Sequence, residues 1–147
     1  QLGARLGFTA ESRFGDQDIA MLGRVTEAVS VEELAQRLAE RLGRQPVAVR
    51  GEPGRLIRRV AWCTGGAQGY FEAAIAAGAD AFITGVKLEK SAAKIAEPQA
   101  HLARETGVAF FACGHHATER YGAPALAARV AQHFGLAHEF IEIDNPA

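Results

Sequence analysis

The 147 residues, 48% hydrophobic and 22% charged, fit one ordinary globular domain with ample material for a core. A formal net charge of −1 argues against the basic face that nucleic acid demands, and it does nothing for binding an anionic membrane. No apolar run approaches the roughly 20 residues needed to span a bilayer, and the first residues lack the long apolar stretch of a signal peptide.

The chain opens at Gln1, inside what reads as the end of an amphipathic helix carrying Leu2, Leu6 and Phe8. The expectation is a piece whose upstream portion lies elsewhere. Ile19–Val29 mixes apolar residues with Gly23 and reads as an irregular strand. Ser30-Val31-Glu32-Glu33 is a capping box, in which the Ser hydroxyl and the Glu33 carboxylate each satisfy an orphan amide. The helix that follows sets Val31, Leu34, Leu38 and Leu42 on one stripe and ends at Gly43. Pro46–Val49 is a short strand, and Gly51–Gly54 a turn.

From there the rhythm is regular. Leu56–Cys63 reads as a strand, Thr64–Gly69 as a tight loop, and Tyr70–Ala77 as a helix ended by Gly78. Ala81–Thr84 is the next strand, and Lys87–Thr106 a helix interrupted or kinked at Pro98. Val108–Cys113 is a strand, Thr118–Phe134 mainly helix stopped by Gly135, and His138–Ile143 a last strand before the Asp144-Asn145-Pro146 terminator. Strands alternating with helices define an α/β class, with a mixed or largely parallel sheet flanked by helices. Gly51–Gly54 is the best boundary candidate. It separates residues 1–50, expected in the same α/β unit, from a lobe of residues 51–147 that carries the motif described next.

That motif is Gly114-His115-His116-Ala117-Thr118-Glu119, directly after the apolar run Val108–Cys113. Ligands of open α/β sheets bind at the carboxyl ends of strands. Gly114 lets the chain turn there, and Glu119 lies four residues after His115, so the two side chains share a helical face. An imidazole and a carboxylate converging in this way suit zinc, manganese, iron or nickel. The other reading is a local helix-start interaction, which the helix dipole also favours. His116 is offset by about 100° and reads as a supporting or proton-transfer group. The same spacing recurs at His101 and Glu105, where it reads as a solvated helix pair. Two protein ligands do not hold a catalytic metal, and no motif links Asp80, His138, Glu142 or Asp144 to His115, so further ligands are expected outside the chain.

Cys63-Thr64-Gly65-Gly66-Ala67-Gln68-Gly69 follows a strand and opens a helix, the recipe for an anion site, with Gly65, Gly66 and Gly69 as binding candidates. It matches neither dinucleotide nor P-loop patterns, and a close-packed strand-to-helix turn is the alternative. Thr84-Gly85 closes the next strand on the same rim. Cys113 and Cys63 form no CxxC pair and read as buried thiols rather than nucleophiles, disulfides or zinc ligands, which leaves the cytoplasm as the default compartment.

Four blocks in order, Arg59–Gly69, Gly78–Gly85, Gly114–Arg120 and Phe140–Pro146, resemble the Nif-three-like dinuclear metal centre family, whose members are often labelled GTP cyclohydrolase 1 type 2 homologue. The resemblance covers Leu56 to the C-terminus, and residues 1–50 are compatible with the family's middle region. It implies a Nif-three-like α/β fold and a site for two divalent metal ions, with His115 and Glu119 as its C-terminal ligands. A His-His pair and an Asp would lie upstream of this sequence. It further implies a ring-shaped homohexamer. Val86–Ala96, rich in Lys and Ala, departs from the family pattern after Gly85. The functional expectation is a metal-dependent hydrolase of an unidentified small molecule, inactive as this piece alone, with His116 as general acid or base. The alternatives are a non-catalytic metal-binding assembly or regulatory module, and a nucleotide or anion binder using Gly65–Gly69.

Overall fold

A computed structural model of the chain describes residues 1–86 and 93–143, and the backbone alone for 93–96. Six strands form one sheet: β1 (Thr9–Phe14), β2 (Ala20–Val29), β3 (Val47–Val49), β4 (Ile57–Cys63), β5 (Ala81–Thr84) and β6 (Ala109–Ala112). Their order across the sheet is β1-β2-β4-β5-β6-β3. The central β4, β5 and β6 are parallel, whereas β1, β2 and β3 join antiparallel. The sheet is mixed, and residues 1–50 supply three of its strands.

Helices α1 (Leu2–Leu6), α2 (Val31–Leu42), α3 (Phe71–Ala76), α4 (Ala93–Thr106), α5 (His115–Glu119) and α6 (Gly122–Phe134) accompany the sheet. Alternation along the parallel strands divides the core between its two faces. Val60, Trp62, Ile83 and Phe111 join Leu34, Leu38 and Leu42 of α2. Ala61, Cys63, Phe82 and Phe110 join Phe71 and Ala74 of α3 and Ala103 of α4. Phe71, Phe82 and Phe110 meet with ring centroids 5.1–6.0 Å apart. Both connections between parallel strands are helical crossovers, so all three parallel carboxyl ends emerge on one edge of the sheet, where the site lies.

The α2 capping box forms as expected. The Ser30 amide donates to Glu33 Oε2 at 2.8 Å, and the Glu33 amide donates to Ser30 Oγ at 3.1 Å. Pro98 sits inside α4, which runs on past it with one amide donor fewer. Residues 87–92 of the expected Lys87–Thr106 helix, most of the Val86–Ala96 stretch, and the Asp144–Pro146 terminator lie outside the described residues.

Two expectations need correction, and one strand was not anticipated. Thr9–Phe14 is a strand that the sequence pattern did not announce, because nearly all of it is exposed and no apolar alternation marks it. The helix expected from Thr118 begins three residues earlier, at His115, and breaks before Gly122. Pro124 falls in the first turn of α6, where a missing amide leaves no helical bond unmade. His138–Ile143 is not a strand: it pairs with no other segment among the described residues, and Phe140, Ile141 and Ile143 are exposed. Alternation alone does not make a strand without an edge to pair with.

Candidate metal centre at the strand ends

Gly114 leaves β6 with φ 87°, a conformation that β-carbon sterics discourage, and this turns the chain straight into α5. α5 then sets His115 Nε2 3.0 Å from Glu119 Oε2, with the side chains 59% and 48% exposed. His101 Nε2 stands 3.0 Å from Glu105 Oε1 in the same helical relation. Helix geometry alone therefore explains the distance, and the surroundings distinguish the two pairs.

What surrounds His115 and Glu119 is the glycine loop. Gly65 adopts φ 67°, and a β-carbon there would collide with Glu119 Oε1 and lie 3.2 Å from the His115 ring. The loop is held by two threonines, the buried polar residues of the described chain: Thr84 is 0% and Thr118 1% exposed. The Gly65 amide donates to Thr118 Oγ1 at 3.2 Å. Thr84 Oγ1 donates to the Gly65 carbonyl at 3.0 Å and accepts from the Ala67 amide at 3.1 Å. Thr118 Oγ1 in turn lies within donating distance of the His115 and Gly114 carbonyls, at 3.0 and 3.3 Å. The Cys113 amide donates to the Thr84 carbonyl at 2.8 Å. Three strand ends are thus tied together beneath the His–Glu pair.

This wiring bears on the anion candidates Gly65, Gly66 and Gly69. The Gly65 and Ala67 amides are already committed to threonine hydroxyls, and α3 behind the loop has only six residues. Gly66 is exposed beside the His115 ring, and a β-carbon at Gly69 would meet nothing within 4 Å. In this structure the loop packs closely against α5.

His116 faces away from the pair. Its Nε2 lies 3.3 Å from Glu142 Oε1, which also accepts from Arg120 Nη1 at 2.9 Å. Hydrogen bonds from Arg120 first and His116 second hold the Glu142 carboxyl below the usual carboxylate range. Arg120 Nη2 reaches the Leu42 carbonyl at 3.0 Å, and the Tyr121 hydroxyl donates to the Arg41 carbonyl at 3.3 Å, joining this cluster to the end of α2. Neither Arg120 nor Thr118 carried a readable signal, since their tertiary partners Gly65, Glu142 and Leu42 lie 22 to 78 residues away in sequence. Glu142 was named as a candidate without a link to His115, and its observed link is to His116.

The remaining candidates lie elsewhere. Asp80 precedes β5 at the opposite end of the sheet, bound to Arg55 and to the amides of Arg58 and Arg59. His133 and His138 are exposed. Burial pushes the Cys113 thiol up to about 12. Burial, helped by the negative charge of Glu119, raises that of Cys63. Neither is a thiolate nucleophile at neutral pH. Among the described residues no three His, Cys, Asp or Glu side chains converge to cage a metal. The nitrogen and oxygen donors of His115 and Glu119 are of the kind that suits a borderline divalent ion, and two such donors fall short of the three that a catalytic metal usually takes from protein.

The family model described as Duf34/NIF3 (NGG1p interacting factor 3) matches residues 1–146. The "GTP cyclohydrolase 1 type 2 homolog" of Neisseria meningitidis serogroup A is 48% identical over 147 residues, which are 100% of this chain and 55% of that protein. The protein of the same name from Pseudomonas aeruginosa is 43% identical over 150 residues, covering 100% and 56% respectively. The solved structure titled "protein ybgI, unknown function" superposes with a TM-score of 0.84 at 40% identity, covering 100% of this chain and 56% of that one. TTHA1606 from Thermus thermophilus gives 0.77 at 25% identity, with 99% and 54% covered. The chain spans about half the length of the curated relatives it matches. No helix among the described residues is long and apolar enough to cross a membrane. With a family model matched along 146 of its 147 residues, the chain belongs to the Duf34/NIF3 family.

Proposed function

We propose that this chain contributes half of a dinuclear divalent-metal site, with His115 and Glu119 as two ligands, to a cytoplasmic protein that hydrolyses a small nucleotide-like or amide compound. The observation that carries the reading is the glycine at position 65, which leaves room for the Glu119 carboxylate and the His115 ring at the strand ends. When bound, divalent ions there supply positive charge that stabilises a developing oxyanion and lowers the pKa of water. His115 and Glu119 hold and orient. His116, whose Nε2 lies 3.3 Å from Glu142 Oε1, would accept or donate a proton at that nitrogen once it gives up the Glu142 contact. The relatives' printed name supports the hydrolase class. The remaining ligands come from outside the described residues.

Metal analysis tests this in the protein at the length of its relatives. Stoichiometric zinc, manganese, iron or nickel should be present, and should be lost in a His115→Ala, Glu119→Ala double variant. A double variant that keeps its metal would show that the site lies elsewhere. A non-catalytic metal-binding assembly, of which a ring hexamer is one form, is the second reading. The apolar side chains of Leu126, Val130 and Phe134, exposed along one stripe of α6, favour it. Metal retained without hydrolysis across a panel of nucleotides and amides would support that reading over the first.

A further inference from the structure

We propose that Thr118 is a positioning residue for the His115 and Glu119 pair, acting through its hydroxyl on the glycine loop rather than by touching a ligand atom. The inference rests on the metal-site reading above. α5 has five residues, too few to hold a shape by its own hydrogen bonds. No side chain caps its start. Something else must fix its angle to the sheet. Thr118 is the residue of α5 that faces inward with a polar group: it is 1% exposed, between His115 and Glu119, which both face out.

Its hydroxyl has partners on two sides. It accepts from the Gly65 amide at 3.2 Å, across 53 residues of sequence, and donates back to the His115 or Gly114 carbonyl. One side anchors the loop after β4, and the other anchors the first turn of the ligand-bearing helix. The approach is close on every side. A β-carbon at Gly85, after β5, would collide with Thr118 Oγ1 and stand 2.8 Å from the Gly65 amide nitrogen. Thr84 completes the clamp by donating to the carbonyl of the same Gly65. Both backbone polar groups of Gly65 are therefore held by threonine hydroxyls, and it is against Gly65 that the Glu119 carboxylate rests. Without the Thr118 hydroxyl, the Gly65 amide loses its acceptor in a buried place. The loop and α5 are then free to part, carrying the two ligands away from their relative orientation.

The test compares Thr118→Val, which keeps the shape and removes the hydroxyl, with Thr118→Ser, which keeps the hydroxyl. The protein is used at its relatives' length, and Zn2+ and Mn2+ alone are the probes, in competition with a chromophoric chelator. Groups that orient metal ligands typically change affinity by about 10–100-fold when removed. Thr118→Val should weaken binding by about tenfold or more, and Thr118→Ser should restore it to within about threefold. Should the valine variant fail to fold, Thr118→Ala removes the same hydroxyl without added bulk. Equal affinity in wild type and Thr118→Val, with the His115→Ala, Glu119→Ala variant binding nothing, would overturn the positioning role and leave the site standing. A metal-independent readout separates the opposite case. In the apo protein, Thr118→Val should accelerate hydrogen exchange at the Gly65 amide and shift the His115 ring resonances. Unchanged exchange and unchanged ring shifts overturn the proposal whether or not the wild type binds metal.

Discussion

Gly65 and Glu119 stand so close that a β-carbon on the first would overlap a carboxylate oxygen of the second, although 54 residues of sequence separate them. Gly65 also sits at φ 67°, where a side chain costs about 1–2 kcal/mol. Gly65→Ala should therefore lower stability by at least about that amount and displace Glu119. Urea unfolding followed by tryptophan fluorescence at Trp62, together with metal titration, reads both effects. A variant as stable and as metal-competent as the wild type would mean that the loop is not pressed against the site.

The two His–Glu pairs form a natural control. His101 and Glu105 make the same 3.0 Å contact as His115 and Glu119 but lie on the exposed face of α4. His101→Ala should change stability by less than about 0.5 kcal/mol and leave metal stoichiometry untouched. His115→Ala should reduce metal binding. Parallel metal analysis of the two single variants decides, and loss of metal from His101→Ala would place a site on the wrong helix.

How much of this was legible without coordinates depended on how far apart the partners lie. The α2 capping box uses residues three apart, Ser30 and Glu33, so its chemistry is written locally. β5, β6 and the Val60–Cys63 end of β4 are buried on both faces and read as continuous apolar runs. β1 escaped because an exposed antiparallel edge needs no alternation. The start of α5 escaped because its cap is a glycine with no side chain to signal it. The His–Glu pair was visible as a spacing, yet the same spacing at His101 shows how little a spacing says. The Thr118 to Gly65 bond, which distinguishes the two, is a tertiary fact and leaves no mark in either local sequence.

The two cysteines should prove chemically quiet in the native state. Cys113 is buried with its thiol pushed up to about 12, and Cys63 is buried with its thiol raised by burial and by Glu119. Iodoacetamide at pH 8 should label neither thiol in the folded protein and both in guanidinium. Rapid native labelling of Cys113 would reopen a nucleophilic role for it beside His115.

The last expectation concerns acid stability and centres on Asp80, away from the site. Its Oδ2 accepts from the amides of Arg58 and Arg59, each at 2.9 Å, and its Oδ1 from Arg55 at 2.7 Å. Burial on its own would raise the Asp80 carboxyl, but the Arg59 and Arg58 amides and the Arg55 guanidinium outweigh it and hold the pKa below the ordinary value. A carboxyl with a depressed folded pKa binds fewer protons folded than unfolded. Its contribution is therefore fully present above the unfolded carboxylate value and is lost as pH falls through the lower folded one. Asp80→Asn should destabilise the protein at pH 7, by roughly 1–3 kcal/mol for donors left without a charged acceptor. The penalty should shrink steadily below about pH 4, where the wild-type carboxyl begins to protonate in the unfolded chain. Paired urea titrations of wild type and variant from pH 7 to pH 3 measure this convergence. Two curves that stay parallel across the range would show that the Asp80 charge contributes nothing to the fold.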